Sequence, residues 1–278
     1  MRFDRSDGVF CHVTSLPGAY GIGDLGEGAR DFLSFLGDAD VDHWQICPIG
    51  PTLSVAGESP YQSPSAFAGN PLFVDPEGLV DDGWLDEGDL RPVPDFPTDR
   101  VDYDAVREYK LPLLRTAFEQ FEERATEEDR AALGAFRERE PWLADYALFR
   151  ALSDARPEDV WTEWPAPLRT RDPDALAEAR EEHAAEVRFR AFVQWTFDRQ
   201  WHDLRAVAAD EGVSIVGDVP IYVALDSADV WASPEAFRLD EGNRPTAVAG
   251  VPPNAGDSGQ RWGNPLYDWE RLAESGYD

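Results

Sequence analysis

The chain has 278 residues, of which 42% are hydrophobic and 12% aromatic, so its composition is that of a folded protein with a sizeable core. Fifty-five acidic residues against 25 basic ones give a formal net charge of −30. A surface this negative repels the phosphates of nucleic acids and the head groups of anionic lipids. Composition therefore disfavours nucleic acid and membrane as partners.

The acidic residues are spread over the whole chain, and the only lysine is Lys110. An evenly distributed acidic coat keeps a protein hydrated at high salt, where screening reduces its self-repulsion. We therefore expect a halophilic protein of a saline cytoplasm; an ordinarily acidic cytosolic enzyme is the alternative. Cys11 and Cys47 lack metal-type spacing and cannot build a disulfide framework, which also indicates a reduced, cytoplasmic location.

The first 50 residues predict a strand, a helix and a second strand. The β-prone run Gly8–Val13 ends at a Ser-Leu-Pro-Gly turn, and His43–Ile49 is a second apolar run. Between them, apolar residues recur at helical spacing over Ala29–Leu36. This order predicts parallel strands in a βαβ unit, with Cys11 and Cys47 as small core residues on neighbouring strands.

The middle of the chain predicts loops followed by helices. Thr52–Pro76 is a long loop with three aromatic residues, so we expect it to be ordered and packed. Asp81–Asp104 is acidic and proline-rich and predicts a surface connection. Residues 103–183 show helical periodicity interrupted by proline-marked turns, which we interpret as a helical insertion. A long amphipathic helix, from about Ala184 to Glu211, precedes a third strand at Ser214–Val219.

The last part of the chain predicts a hairpin, a loop and a short helix. Phe237–Leu239 and Thr246–Ala249 flank a polar turn, which is typical of two antiparallel strands. Gly259–Pro265 is bounded by glycine and proline and indicates a loop. Trp269–Ser275 has helical character.

The run Gly21–Gly26 matches the G-x-G-x-x-G pattern of dinucleotide sites. That pattern requires a directly preceding strand and an acidic residue at the end of the following strand. Here seven residues separate strand and motif, the second strand ends without an acid, and Asp24 would face the pyrophosphate. We expect these glycines to shape a tight loop rather than to bind a cofactor.

Asp218 stands out among the acids because it follows a buried strand, where barrel enzymes place polar chemistry; a capping or turn role before a proline is the alternative. Two other segments, Ser59–Gln62 and Gln260–Asn264, combine aromatic and amide side chains. Such a mixture suits sugars, whose C–H faces stack on aromatic rings while their hydroxyls bond to amides. From position alone we favour a structural role slightly for both segments.

Seven stretches resemble the amylomaltase family, the 4-α-glucanotransferases of the α-amylase clan, and they follow the family order along the whole chain. The stretches are Thr14–Gly26, Trp44–Thr52, Ser59–Pro71, Gly217–Val223, Asp226–Trp231, Val248–Pro253 and Gly259–Trp269. The resemblance is weakest in the helical insertion.

The resemblance implies an α/β fold of the (β/α)8 TIM-barrel family, with this chain holding the first three βα units, a helical insertion and long active-site loops. It implies three domains. Residues 1–102 would hold the first two βα units and the substrate loop, residues 103–183 the insertion, and residues 184–278 the third βα unit with the sugar-binding loops, ending before the fourth strand.

The family cleaves α-1,4-glucosidic bonds and passes the glucan to another maltooligosaccharide, with retention through a covalent glycosyl-enzyme. By motif position, Tyr61 resembles the aromatic platform at the donor sugar, with Ser59 in the same motif, and Asp218 resembles the polar aspartate after the third strand. Maltooligosaccharides or other α-1,4-glucans are the expected partners, and no metal or organic cofactor is expected. The expected sugar-binding wall on the acceptor side comprises Gln260, Trp262 and Asn264.

Two loops depart from the family pattern. Asn254–Ser258 is one residue shorter and lacks the aromatic pair that closes over the glucan in relatives. Leu53–Glu58 lacks the tyrosine associated with a secondary glucan groove. Lid closure, chain-length preference and a second sugar site therefore do not transfer from the resemblance.

No R-x-D-H-type motif occurs in the sequence. The nucleophilic Asp, the acid/base Glu and a third Asp are therefore expected beyond Asp278, and we expect this chain to be inactive by itself. Strands one and three would then expose their edges, which favours aggregation or association with the C-terminal portion of the enzyme. The alternatives are a non-catalytic glucan-binding module and an α-glucan hydrolase of the same clan.

Overall fold

The computed structural model describes residues 5–277, in which three strands form a parallel sheet and two more form an antiparallel pair. The parallel sheet has the order β1-β2-β3, and β4 pairs with β5. The strands are β1 (Gly8–Phe10), β2 (His43–Gln45), β3 (Ser214–Val216), β4 (Val248–Val251) and β5 (Gln260–Pro265).

Helices make up most of the remaining regular structure. No helix of residues 5–277 combines the length and apolar character needed to cross a membrane. The α-helices are α1 (Glu27–Asp38), α2 (Pro76–Asp81), α3 (Tyr103–Arg124), α4 (Glu127–Arg139), α5 (Trp142–Ala155), α6 (Ala166–Arg169), α7 (Pro173–Glu182), α8 (Ala184–Asp210), α9 (Ala228–Ala232) and α10 (Trp269–Ser275).

The chain divides into two compact units whose segments alternate along the sequence. The first unit comprises the chain through Ile49, Gly69–Glu140 and Ala191–Val219, and the second comprises Gly50–Ala68, Pro141–Arg190 and the chain from Pro220 onward. These bounds differ from the three consecutive domains expected above, and the three-domain division stays a prediction about the family barrel.

The predicted βαβ order is confirmed in the first unit, where β2 lies between β1 and β3 and all three strands are parallel. The Trp44 side chain of β2 is fully buried. Its Nε1 donates to the Cys11 carbonyl oxygen at 2.7 Å, and its ring meets Phe32 of α1 edge-on at 5.3 Å. One tryptophan therefore fastens α1 and the end of β1 to the central strand.

Each parallel strand is shorter than predicted. After β1 the chain forms a 3-10 helix at Val13–Ser15. After β2, Pro48 has no backbone N–H and cannot donate to the ladder. The prediction of small core cysteines was wrong. Cys11 and Cys47 follow the two neighbouring strands rather than lying within them; neither forms a disulfide within residues 5–277, and both are partly exposed.

Within residues 5–277, the two outer strands of the parallel sheet have unpaired edges, as predicted. β1 and β3 each pair on one side, with β2, among the described residues. All three residues of β1 are exposed, including Phe10 at 64%, and Val216 of β3 is exposed as well. The sheet therefore presents unpaired backbone and apolar surface at both edges.

The long amphipathic helix α8 ends one residue earlier than predicted, before Gly212, and its predicted stripe is buried around Val193 and Leu204. Two buried glutamines on α8 bond to the backbone of the 69–76 segment. Gln194 accepts from Gly69 N at 2.7 Å and donates to Gly69 O at 2.9 Å. Gln200 does the same with Asp75, at 2.7 and 3.0 Å. These side chains satisfy backbone groups that a loop would otherwise bury unpaired.

The expectation of an ordered loop over Thr52–Pro76 is confirmed, although not all of its aromatics supply the packing. Phe73 and Ser63 are fully buried, whereas Tyr61 and Phe67 are exposed. The prediction of a surface connection at Asp81–Asp104 was wrong in part. Trp84, Leu85 and Leu90 within it are buried. The acidic composition of the segment as a whole did not indicate these buried apolar residues.

The helices predicted between 103 and 183 are present as α3 to α7, with proline-marked turns between them. The second unit is built around Phe149, Trp164 and Trp231, whose ring centroids lie 5.4 to 5.8 Å apart. The Arg171 guanidinium covers the Trp231 ring at 4.4 Å. This cluster joins α5, α9 and the turn before α6.

The predicted hairpin of Phe237–Leu239 and Thr246–Ala249 is reduced to an isolated bridge between Leu239 and Pro245. Val248–Val251 pairs instead with β5, which lies in the stretch predicted as the loop Gly259–Pro265. The glycines and the proline of that stretch suggested a loop, but its backbone meets the β4 ladder. The short helix predicted at Trp269–Ser275 is confirmed as α10.

The glycine motif at 21–26 forms a tight loop, as predicted. A Cβ on Gly23 would lie 2.0 Å from the Val13 carbonyl oxygen, so only glycine fits there. Asp24 of the same loop is buried. Its Oδ2 accepts from Lys110 Nζ of α3 at 2.8 Å, and its Oδ1 accepts from Gly26 N at 3.2 Å. Asp24, whose negative charge disfavoured a bound dinucleotide, is therefore one half of a structural ion pair.

Asp75 lies beside this ion pair and caps α2 by accepting from Glu77 N and Gly78 N, both at 3.1 Å. Burial, reinforced by the negative charge of Asp24, raises the pKa of Asp75 to about 6 from 3.8. The two N–H donors and the Lys110 cation oppose that shift. Two carboxylates, one from the glycine loop and one from the start of α2, therefore lie near one ammonium group.

Removing Lys110 tests how much the Asp24–Lys110 ion pair contributes to the free energy of unfolding. Lys110→Met leaves Asp24 as a buried charge without its cation, so we expect the free energy of unfolding to fall by about 3–5 kcal/mol. Urea denaturation at constant salt measures the change. Arg100→Met, which removes a surface pair with Asp99, is the control and is expected to change stability by less than about 1 kcal/mol. Equal losses in the two variants would contradict the prediction.

The raised pKa of Asp75 predicts a pH-dependent contribution to stability. Between 3.8 and about 6 the folded protein holds a proton that the unfolded chain has released. The contribution of Asp75 is therefore complete below the unfolded pKa and is lost as pH rises through the folded one. Asp75→Asn removes this titration and keeps an acceptor for the cap. Wild-type stability minus variant stability, from urea denaturation at several pH values, should fall across this window; a constant difference would refute the assignment.

Candidate functional site

The Tyr61 segment is held to the chain around α9 by backbone hydrogen bonds within the second unit. Ala224 N donates to Ser63 O at 3.1 Å, and Ala228 N donates to Pro64 O at 2.9 Å. They bring the family-like stretch 59–71 into contact with Ala228, in the family-like stretch 226–231, and with Ala224, just before that stretch.

Ser63 is a buried residue at the centre of this segment. Its side chain is fully buried, and Oγ lies 2.8 Å from Pro51 O and 2.6 Å from Ser65 O while accepting from Ser65 N. A buried hydroxyl that both donates and accepts can close a tight turn without an unpaired group. The loop therefore has a rigid base beneath Tyr61.

Gln62 and Asn264 form a reciprocal amide pair across 202 residues of sequence. Gln62 Nε2 donates to Asn264 Oδ1 at 2.6 Å, and Asn264 Nδ2 lies 3.3 Å from Gln62 Oε1. Gln62 Nε2 also lies 3.1 Å from the Trp262 carbonyl oxygen. Asn264 Nδ2 further reaches the carbonyl oxygens of Tyr222 and Val223, at 3.2 and 3.0 Å. The pair joins the Tyr61 segment to β5.

Two aromatic side chains stand half-exposed on the segments that this pair connects. Tyr61 is 49% exposed and Trp262 is 45% exposed. Trp262 Nε1 donates to Gln260 Oε1 at 2.9 Å, which fixes the direction of the indole. Ser59 shapes the turn before Tyr61, because its Oγ lies 3.4 Å from Tyr61 N and its carbonyl accepts from Gln62 N at 3.1 Å. The structure thus places five of the six predicted site residues in one unit.

Asp218, the sixth, belongs to the first unit and is exposed. It lies two residues past β3, and its Oδ1 accepts from Val219 N at 2.8 Å. This contact orients the carboxylate just beyond the carboxyl end of a parallel strand. The position agrees with the edge of the sheet where barrel enzymes place polar groups.

Two half-buried carboxylates in the second unit have raised pKa values. Burial raises the pKa of Asp229, against the N–H of Ala66 and the Ser65 hydroxyl, which favour the charged form. Burial also raises the pKa of Asp226, against the N–H of Trp161. Asp229 Oδ2 accepts from Ala66 N at 3.2 Å, so this carboxylate holds the loop rather than facing open solvent.

The two loops that depart from the family pattern are short turns without aromatic residues. Ser54–Ala56 is one 3-10 turn whose Val55 is almost fully exposed. At the tip between β4 and β5, Asn254 and Asp257 exchange backbone hydrogen bonds of 3.0 and 3.2 Å, and Gly259 N donates to Asp257 Oδ1. Neither loop presents an aromatic ring.

Within residues 5–277, no group of three or more His, Cys, Asp or Glu side chains is arranged to hold a metal ion. The site consists of aromatic faces, amides, hydroxyls and separate carboxylates. Such a surface can stack on apolar ring faces and exchange hydrogen bonds with hydroxyl groups. The chemistry of these side chains suits a neutral polyhydroxylated ligand.

Sequence reasoning noted Gln62 as a neighbour of Tyr61 but missed its partner. Asn264 is 202 residues away, and no local pattern links two such positions. Asp229 was also missed, although it lies in the family-like stretch 226–231. The sequence signal for Asp229 was the alternation of acidic and apolar residues in that stretch. By itself this alternation indicates only the start of an ordinary helix.

Comparisons with solved structures establish the fold class. An amylomaltase from Streptococcus agalactiae, solved in complex with acarbose, is similar to this chain with a TM-score of 0.93 and 37% identity. The match covers 99% of this chain and 55% of that one. The chain is thus a partial α/β structure of the TIM-barrel class to which amylomaltases belong.

The family follows from the sequence comparisons. The family profile described as 4-alpha-glucanotransferase matches residues 11–278. The 4-alpha-glucanotransferase of Thermus thermophilus is 52% identical over all of this chain and 55% of its own length, and that of Aquifex aeolicus is 43% identical over 98% and 55%. This chain belongs to the 4-alpha-glucanotransferase family. It spans about half the length of the curated relatives it matches.

Proposed function

We propose that this chain is the sugar-binding portion of a 4-α-glucanotransferase that transfers α-1,4-glucan segments between maltooligosaccharides. The observation that carries the proposal is the presence of two half-exposed aromatic side chains, Tyr61 and Trp262, on segments joined by an amide pair. Family membership supports the same activity.

In this proposal Tyr61 is the platform for the donor sugar and Trp262 the wall for the acceptor. The C–H face of a glucose ring packs on each aromatic face, and hydroxyls bond to nearby polar groups. Gln260 uses its Oε1 for the indole, which leaves its amide N–H groups to donate to a hydroxyl. The exposed Asp218 carboxylate accepts from a sugar hydroxyl at the end of β3.

Cleavage with retention needs a nucleophilic carboxylate and a second carboxyl that acts as acid and then as base, through a covalent glycosyl-enzyme. We assign these groups, and a third aspartate, to the part of the relatives' length that this chain does not match. On this assignment the chain binds and orients glucan, and it cleaves none by itself.

Two other functions fit parts of the same observations. A glucan-binding fragment without activity fits a site in which the binding side chains are present and the reacting carboxylates are not assigned. An α-glucan hydrolase of the same clan would use the same surface with water as acceptor. The exposed Trp262 wall favours transfer, because an acceptor sugar needs a surface and water does not.

The acidic coat points to the place of action. We propose a saline cytoplasm, since a net charge of −30 is spread over the chain and screening at high salt reduces its self-repulsion. Neither Cys11 nor Cys47 forms a disulfide in the described part of the chain, which agrees with a reducing compartment.

Glucan binding is the direct test of the proposed surface. Titration of the chain with maltoheptaose in a calorimeter at high salt should give a saturable heat. Tyr61→Ala removes the stacking face, so we expect about tenfold weaker binding, equivalent to about 1.4 kcal/mol. Tyr61→Phe keeps the face and should bind nearly as well as wild type.

The control for aromatic loss is Phe35→Ala, which removes an exposed ring of α1 in the first unit. It should leave binding unchanged. A wild-type chain that shows no saturable heat, or a Tyr61→Ala variant that binds like wild type, would count against the sugar surface.

The predicted lack of catalysis has its own assay. Purified chain incubated with maltotriose at high salt should release no glucose above the level of a protein-free blank. The Thermus thermophilus relative, assayed in its own buffer, provides the positive control. Glucose release by this chain would show that its own carboxylates perform the reaction and would overturn the assignment of the reacting groups elsewhere.

A further inference from the structure

Asn264 cannot offer much to a ligand, because its side chain is already engaged. The residue is 2% exposed, and its Oδ1 accepts from Gln62. Its amide nitrogen has two hydrogens and lies within reach of three oxygens, those of Tyr222, Val223 and the Gln62 side chain. Its oxygen and its amide nitrogen both have partners inside the protein, although its motif position suggested a place in the sugar-binding wall.

Gln62 contacts both ends of the aromatic surface. It follows Tyr61 directly in the chain, and its Nε2 reaches the carbonyl oxygen of Trp262 as well as Asn264 Oδ1. A single amide group therefore connects the neighbour of one aromatic residue to the backbone of the other. Among residues 5–277, the backbone ladder of β5 runs to β4 and not to the Tyr61 segment.

Gly263 explains how a buried amide and an exposed indole can lie two residues apart. In a regular strand, residues two apart point to the same face. Gly263 has φ of +88°, which turns the backbone between Trp262 and Asn264. Asn264 therefore points inward to Gln62 while Trp262 faces outward, and Gln260 holds the indole ring.

We infer that the Gln62–Asn264 amide pair is a positioning device that sets the Trp262 indole in place relative to Tyr61 before any glucan binds. The inference rests on the proposed function for the identity of the ligand. Gln62 and Asn264 are positioning residues, since they act through Tyr61 and Trp262. Preorganised aromatic faces spare a ligand the loss of side-chain freedom that binding otherwise entails.

The first measurement needs no ligand. The chain is labelled with 5-fluorotryptophan, and the ¹⁹F line of Trp262 is assigned with Trp262→Phe. We expect a single narrow Trp262 line in wild type. In Gln62→Ala that line should shift and broaden, while the lines of the other tryptophans and the urea midpoint stay close to wild type. Gln120→Ala, which changes a glutamine of α3 in the first unit, is the matched control and should leave all lines unchanged.

The second measurement is a pH profile that a merely structural role would not produce. In Gln62→Glu the carboxylate places oxygen against two acceptors, Asn264 Oδ1 and the Trp262 carbonyl, so the pair opens. Protonation of that carboxyl restores one donor. We expect the displaced Trp262 line to return toward its wild-type position as pH falls through the titration of the new carboxyl, near or above about 4.3. The wild-type line should stay in place over the same range.

The third measurement connects the pair to binding. Gln62→Ala should bind maltoheptaose about tenfold more weakly than wild type, as expected for losing one well-placed hydrogen bond and its ordering effect. Trp262 lines that are identical in wild type, Gln62→Ala and Gln62→Glu would overturn the inference. Unchanged affinity in Gln62→Ala would overturn it as well. A wild-type chain that binds no maltoheptaose would contradict the proposed function instead. The ligand-free ¹⁹F spectra would still test the positioning role.

Discussion

The first unit depends on one buried ion pair, between Asp24 of the glycine loop and Lys110 of α3. Removing two charges from water is costly, and the contact recovers that cost only when the partners are close and otherwise satisfied. The 2.8 Å separation and the Gly26 N–H provide this. The ion pair fixes the glycine loop on α3, and Asp75, which caps α2, lies in the field of both charges.

Neutral amide side chains hold the irregular segments in place, as the ion pair holds the glycine loop. Gln194 and Gln200 bond the 69–76 segment to α8 in the first unit, and the Gln62–Asn264 pair bonds the Tyr61 turn to β5 in the second. Each amide offers a donor and an acceptor from one planar group, so it can replace a stretch of backbone ladder. Long loops that carry candidate binding residues thereby gain defined positions without regular secondary structure.

Much of the scaffold could be predicted from sequence, because hydrophobic periodicity is a local signal. The parallel βαβ order, the long helix α8 and the helix α10 follow from spacing alone. β5 was misread as a loop, since glycine, asparagine and proline are poor strand formers and its partner β4 supplies the missing stability. Of the candidate site, Tyr61 and Trp262 could be named from motifs. The pairs Asp24–Lys110 and Gln62–Asn264 could not, because 86 and 202 residues separate their members.

The neutrality of the Gln62–Asn264 pair has a consequence for the range of solvents in which the site keeps its shape. At 1 M salt the Debye length is only about 3 Å, so exposed ion pairs lose most of their attraction. A hydrogen bond between two uncharged amides carries no net charge for ions to screen. Salt therefore acts on this region mainly through the acidic coat around it, and only weakly on the amide pair that connects the Tyr61 segment to β5.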